Sequence, residues 1–80
     1  MLYMTSNIIG QNVRKYREKN HWNQSFLAEK LNIQRQTVSS YERGSCLPNI
    51  YVLIQMADLF GVSLDELVGR SENLNLIQEL

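Results

Sequence analysis

This sequence has little of what would staple, anchor or catalyse. Among its 80 residues are one cysteine, one proline and one histidine, and the formal net charge is zero. A single thiol, Cys46, cannot form an internal disulfide, and a lone cysteine suits a reducing compartment. The uninterrupted apolar runs are only a few residues long, far short of the roughly 18 needed to span a bilayer. Met1-Leu2-Tyr3-Met4 carries neither the basic start nor the long apolar stretch of a secretory signal. No membrane association is expected, and a cytoplasmic location is. A metal site needs several Cys, His or carboxylate ligands at fixed spacing, and the sequence offers no such set. His21 has no partner pattern for catalysis, and the start of a helix accounts for Asp65-Glu66. Neither an enzyme nor a cofactor is expected.

What is present is ordinary in amount and uneven in placement. The 44% hydrophobic content fits a globular chain, and 80 residues make one compact domain with a short tail. Residues 1–45 hold seven basic side chains against three acidic ones; residues 46–80 hold Arg70 against five acidic ones. One half is therefore +4 and the other −4, which gives the molecule a face that attracts polyanions.

Strand-like alternation is absent, and glycine and proline fall between segments of helical period. Five helices follow. Ser6 or Asn7 is expected to cap the first, whose apolar positions Ile9, Val13 and Tyr16 recur at i, i+4 and i+7 before it frays near Asn20. Asn23 caps the second, with Trp22 and Leu27 as a hydrophobic staple, Leu27, Ala28 and Leu31 as its buried stripe, and Asn32 as its left-handed stop. Gln34 stands at the cap position of the third, a weak capping residue. There Val38 and Tyr41 point inward, Arg35, Gln36, Ser39 and Ser40 outward, and Gly44 ends the helix. Pro48-Asn49 start the fourth, with Leu53, Ile54, Ala57, Leu59 and Phe60 as its apolar content and Gly61 as its stop. Ser63-Leu64-Asp65-Glu66 is a capping box for the fifth, which closes near Gly69. Residues 1–70 are expected to form the domain. Residues 71–80 form a tail in which Leu74, Ile77 and Leu80 could line a short dimerisation helix.

Two short helices joined by a turn of a few residues must cross steeply. The crossing thrusts the start of the third helix outward, where it fits a major groove about 12 Å wide. The polar face it presents there, Arg35 and Gln36 above all, has the chemistry of base recognition. Arginine pairs bidentately with guanine and glutamine with adenine.

The stretch Asn23-Gln24, Leu27-Ala28-Glu29-Lys30-Leu31, Ile33, Thr37-Val38-Ser39, Tyr41-Glu42-Arg43-Gly44 and Pro48 carries a resemblance. It continues through Leu53, Ala57 and Phe60-Gly61-Val62-Ser63-Leu64-Asp65-Glu66-Leu67. In register over some sixty residues, it resembles the Cro/phage-repressor helix-turn-helix family, also called xenobiotic-response-element or lambda-repressor-like. The resemblance implies an all-α, five-helix domain that binds double-stranded DNA as a transcriptional regulator, a repressor rather than an activator. A near-palindromic operator and a homodimer are expected with it. It implies that Gln24 bonds a phosphate and orients the recognition helix. Gln34, Arg35, Gln36 and Ser40 would touch bases or flanking phosphates, and Thr37 a thymine methyl or a phosphate. Arg17 and Glu42 occupy positions of a partly buried ion pair, and Arg43, Lys30 and Arg14 are candidates for phosphate contact. Ser45-Cys46-Leu47 departs from the family, whose members commonly carry Lys or Arg there. That departure predicts weaker nonspecific binding and makes dimerisation the expected remedy. The alternative is a helix-turn-helix module that binds a protein partner, as an antitoxin or adaptor does, without reading DNA.

Overall fold

Local signals at the helix ends set most of this architecture. The structure, a computed structural model, describes residues 4–70, with side chains from Ile8 onward. In order the elements are α1 (Met4–Lys19), α2 (Gln24–Leu31), α3 (Arg35–Arg43), α4 (Ile50–Phe60) and α5 (Leu64–Val68), with no strand among the described residues. The all-α, five-helix reading holds. The tail, residues 71–80, and its dimerisation helix lie outside the described residues.

Three helices begin on a side chain that accepts from the backbone: Asn23 from the Phe26 N–H, Asn49 from Val52 and Ser63 from Glu66. Ser63 and Glu66 close a full capping box, the Glu66 carboxylate accepting from the Ser63 N–H at 2.8 Å. α3 alone of α2–α5 starts without a side-chain cap, because Gln34 makes no such bond. Each of these four helices ends in a left-handed residue; Asn32 at φ 59° takes at α2 the conformation that glycine supplies elsewhere. The first start is different from the expectation. α1 begins at Met4, so Ser6 and Asn7 lie inside it rather than capping it.

The core gathers Ile9 and Val13 of α1, Leu27, Ala28 and Leu31 of α2, Val38 and Tyr41 of α3, Met56 and Ala57 of α4 and Leu67 of α5. Around one edge Tyr16, Trp22, Phe26 and Phe60 form an aromatic chain, with ring centroids 5.2–5.9 Å apart. It ties the end of α1 and the start of α2 to the end of α4. Trp22, expected to staple on Leu27, packs between Phe26 and Phe60 and so reaches across the fold. Asn12 fastens α5 to α1 by donating to the Leu67 carbonyl at 2.9 Å, an acceptor freed at the helix end.

In α4 Ile54, part of the apolar content named from the sequence, is exposed, and Met56, not named there, is fully buried. Nearly every residue of α4 is apolar, so its periodicity does not mark the inward face.

Candidate nucleic-acid interface

α2 ends at Leu31 and α3 begins at Arg35, and the reversal between them is made by left-handed Asn32. The Ile33 N–H closes it by donating to the Ala28 carbonyl at 2.9 Å. The buried faces of the two helices share the core through Leu27, Leu31 and Val38, and Ile33 packs half-buried against it. With the inner side of α3 held this way, Gln34, Arg35 and Gln36 at its N-terminal end are exposed. Thr37 is half-buried.

Beneath this end lies a polar network that the sequence only partly suggests. Arg17 of α1 is buried, and its Nε donates to Glu42 Oε2 of α3 at 2.6 Å and one terminal nitrogen to Oε1 at 3.1 Å. The other terminal nitrogen donates to the Trp22 carbonyl at 2.7 Å. One guanidinium thus joins α1, α3 and the turn before α2. The hydrogen bond to Glu42 raises the Arg17 pKa above its ordinary value, against the pull of burial. Arg17 is therefore a permanent cation. The third bond, to a backbone carbonyl, leaves no sequence signal, since any residue at Trp22 would supply the oxygen.

Gln24, at the first position of α2, is half-buried and faces this pair. Its Nε2 donates to Glu42 Oε1 at 3.1 Å, and its Oε1 accepts from Arg35 at 3.3 Å. One Nε2 hydrogen remains for an outside acceptor.

Toward the other end of α3 the picture differs from expectation. Ser39 and Ser40 are half-buried rather than fully outward, because Arg43 folds back on both. It donates to the Ser39 hydroxyl and, at 3.3 Å, to that of Ser40. Arg43 itself stays exposed. Arg14 pairs with Glu18 at 3.1 Å, and Lys30 sits over the Phe26 ring at 5.2 Å; both cations remain exposed. Beyond α3, Leu47, Ile50, Tyr51 and Ile54 form an exposed apolar face. Cys46 is exposed beside it.

No group of His, Cys, Asp or Glu among the described residues is arranged to hold a metal ion, and no described helix is long and apolar enough to cross a membrane.

The helix-turn-helix family profile matches residues 13–67. The chain is 38% identical over 56 residues to the HTH-type transcriptional regulator AnsR of Bacillus subtilis, covering 70% of this chain and 48% of that protein. It thus spans about half the length of such relatives. Among solved structures it is similar to a transcriptional regulator from Listeria innocua, at TM-score 0.73 and 36% identity. That match covers 76% of this chain and 57% of the other. The P22 c2 repressor, solved with a synthetic operator, has the same fold at TM-score 0.75 and 23% identity, covering 80% of this chain and 97% of the repressor.

Proposed function

Because this chain belongs to the Cro/C1-type helix-turn-helix family of DNA-binding regulators, which is not a class of enzymes, we propose that it is a sequence-specific repressor acting as a homodimer on a near-palindromic operator. The observation that carries this reading is the exposed cluster Gln34, Arg35 and Gln36 at the start of α3, raised on the buried crossing of α2 and α3. A helix presented this way enters the major groove with its first residues against base edges. Arg35 and Gln36 set base preference. Gln24, with its spare N–H, bonds a phosphate and sets register, while Gln34, Thr37, Ser40 and Arg43 meet flanking groups. A homodimer places two such helices in successive major grooves about 34 Å apart.

The apolar face Leu47, Ile50, Tyr51 and Ile54 supports a second copy as partner. No charged residue lies between Arg43 and Asp58, so two copies meet there without like-charge repulsion. Just before this face, the loop Ser45-Cys46-Leu47 stands where basic residues would add phosphate contacts. Each missing contact makes the salt dependence shallower by about 0.9 in the log–log slope.

Selection of duplexes from a random pool tests the assignment. Gln36→Ala is expected to relax preference at one or two base pairs, by about 1–3 kcal/mol at each. Unchanged selectivity would remove Gln36 from the base-reading set. The same exposed apolar face favours one other reading, a module that docks on a different protein. Absence of any mobility shift at low salt, together with a partner held regardless of salt, selects that reading instead.

A further inference from the structure

Four side chains run inward from the exposed end of α3, and their donors and acceptors match in only one order. Glu42 can only accept, and Arg17 and Arg35 can only donate. Gln24 stands between with one group of each kind. Arg17 occupies both oxygens of Glu42, at 2.6 and 3.1 Å. Glu42 Oε1 also accepts from Gln24 Nε2 at 3.1 Å, which turns the amide oxygen outward to accept from Arg35 at 3.3 Å. Reversing the amide would set oxygen against carboxylate and an NH₂ group against a guanidinium. The carboxylate therefore dictates which face of Gln24 the arginine meets.

We infer that Glu42 is a positioning residue for DNA readout: it fixes the Gln24 amide, and through it holds the Arg35 guanidinium at the mouth of the recognition helix. This rests on the reading of Arg35 as a base-contacting residue. An arginine on an exposed surface loses rotamer freedom when it docks, and one already tethered loses less. Arg35 spends one of its five N–H donors on Gln24, leaving enough for a bidentate contact with guanine O6 and N7. The Arg17–Glu42 pair is complete without Gln24, so the fold does not require the extension toward Arg35.

The test uses the full chain and four proteins: wild type, Arg35→Ala, Glu42→Gln and Gln24→Leu. Each is titrated with the duplex selected by wild type and with versions changed at single base pairs. Arg35→Ala identifies its base pair by losing discrimination there, about tenfold or more. A glutamine at position 42 sets a donor against Gln24 or Arg17. Glu42→Gln is therefore expected to cut discrimination at that same pair to less than about threefold, with other pairs within about twofold of wild type. Gln24→Leu keeps the ion pair; it should weaken all duplexes and also lose discrimination at that one pair. If Glu42→Gln does not fold, the double variant Arg17→Met with Glu42→Leu, which removes the carboxylate without stranding Arg17, takes its place with the same expected loss. Should the variant at Glu42 and Gln24→Leu weaken every duplex alike and keep full discrimination, Glu42 acts on the fold only and the inference fails. Should Arg35→Ala keep wild-type discrimination, the base-reading assignment itself fails, and the inference with it.

Discussion

Glu42→Ala should lower folding stability by about 3–5 kcal/mol, the cost of leaving one partner of a buried ion pair alone. The two side chains are 10% and 5% exposed for Arg17 and Glu42, so water does not replace the lost carboxylate. Arg17 would keep the Trp22 carbonyl and, at 3.9 Å, the half-exposed carboxylate of Glu18, and Gln24 would lose its inward acceptor. A domain of this size has roughly 5–15 kcal/mol in total, so a large share of its stability goes. Urea unfolding followed by circular dichroism measures the loss. In the wild-type protein the contribution of the pair does not fade with pH. A group whose folded pKa is raised gives stability that is complete below its unfolded value and fades only as pH passes the folded one. For Arg17 that lies beyond any working pH. Replacing both partners by apolar residues, Arg17→Met with Glu42→Leu, should recover most of the loss. A double variant no more stable than Glu42→Ala would show that the stranded charge is not the cause.

The second large effect is at Gly10, a buried position on α1 packed against the C-terminal half of α3. A Cβ there would lie 2.7 Å from the Glu42 carbonyl oxygen and closer still to that of Tyr41. Both obstacles are backbone, so no rotamer change relieves them, and α1 and α3 must separate. Alanine normally gains about 1 kcal/mol over glycine inside a helix. Here overpacking should win, and Gly10→Ala is expected to destabilise by about 2 kcal/mol net or more. At about 4–8 °C per kcal/mol for a domain this small, the melting temperature should fall by about 10 °C. An unchanged or higher melting temperature would mean that the two helices have slack. The displaced element is α3, which the proposed function sets in the major groove, so DNA affinity should fall as well.

Gly10 also shows what local sequence leaves open. A glycine inside a helix looks like a weak point until its neighbour across the interface is known. Gln24 is similar: its residue type and position suggest a phosphate contact, but not that Glu42 and Arg35 engage it first. Ser39 and Ser40 look outward by period, yet Arg43 one turn on draws them in. In α4 the excess of apolar residues hides which face is buried, and only the fold shows Met56 in the core and Ile54 exposed.

The sequence by itself determined the number and order of the helices, the caps at Asn23, Asn49 and Ser63 and the left-handed stops at Asn32, Gly44 and Gly61. These are events within a few residues of chain, where side chain and backbone meet wherever the rest lies. It also held the pattern that assigns the family. Tertiary structure alone decided the close approach of Gly10 to α3, the three-way role of Arg17 and the direction of the Gln24 amide. Those depend on atoms brought together from distant parts of the chain, and on backbone oxygens that every residue type carries alike.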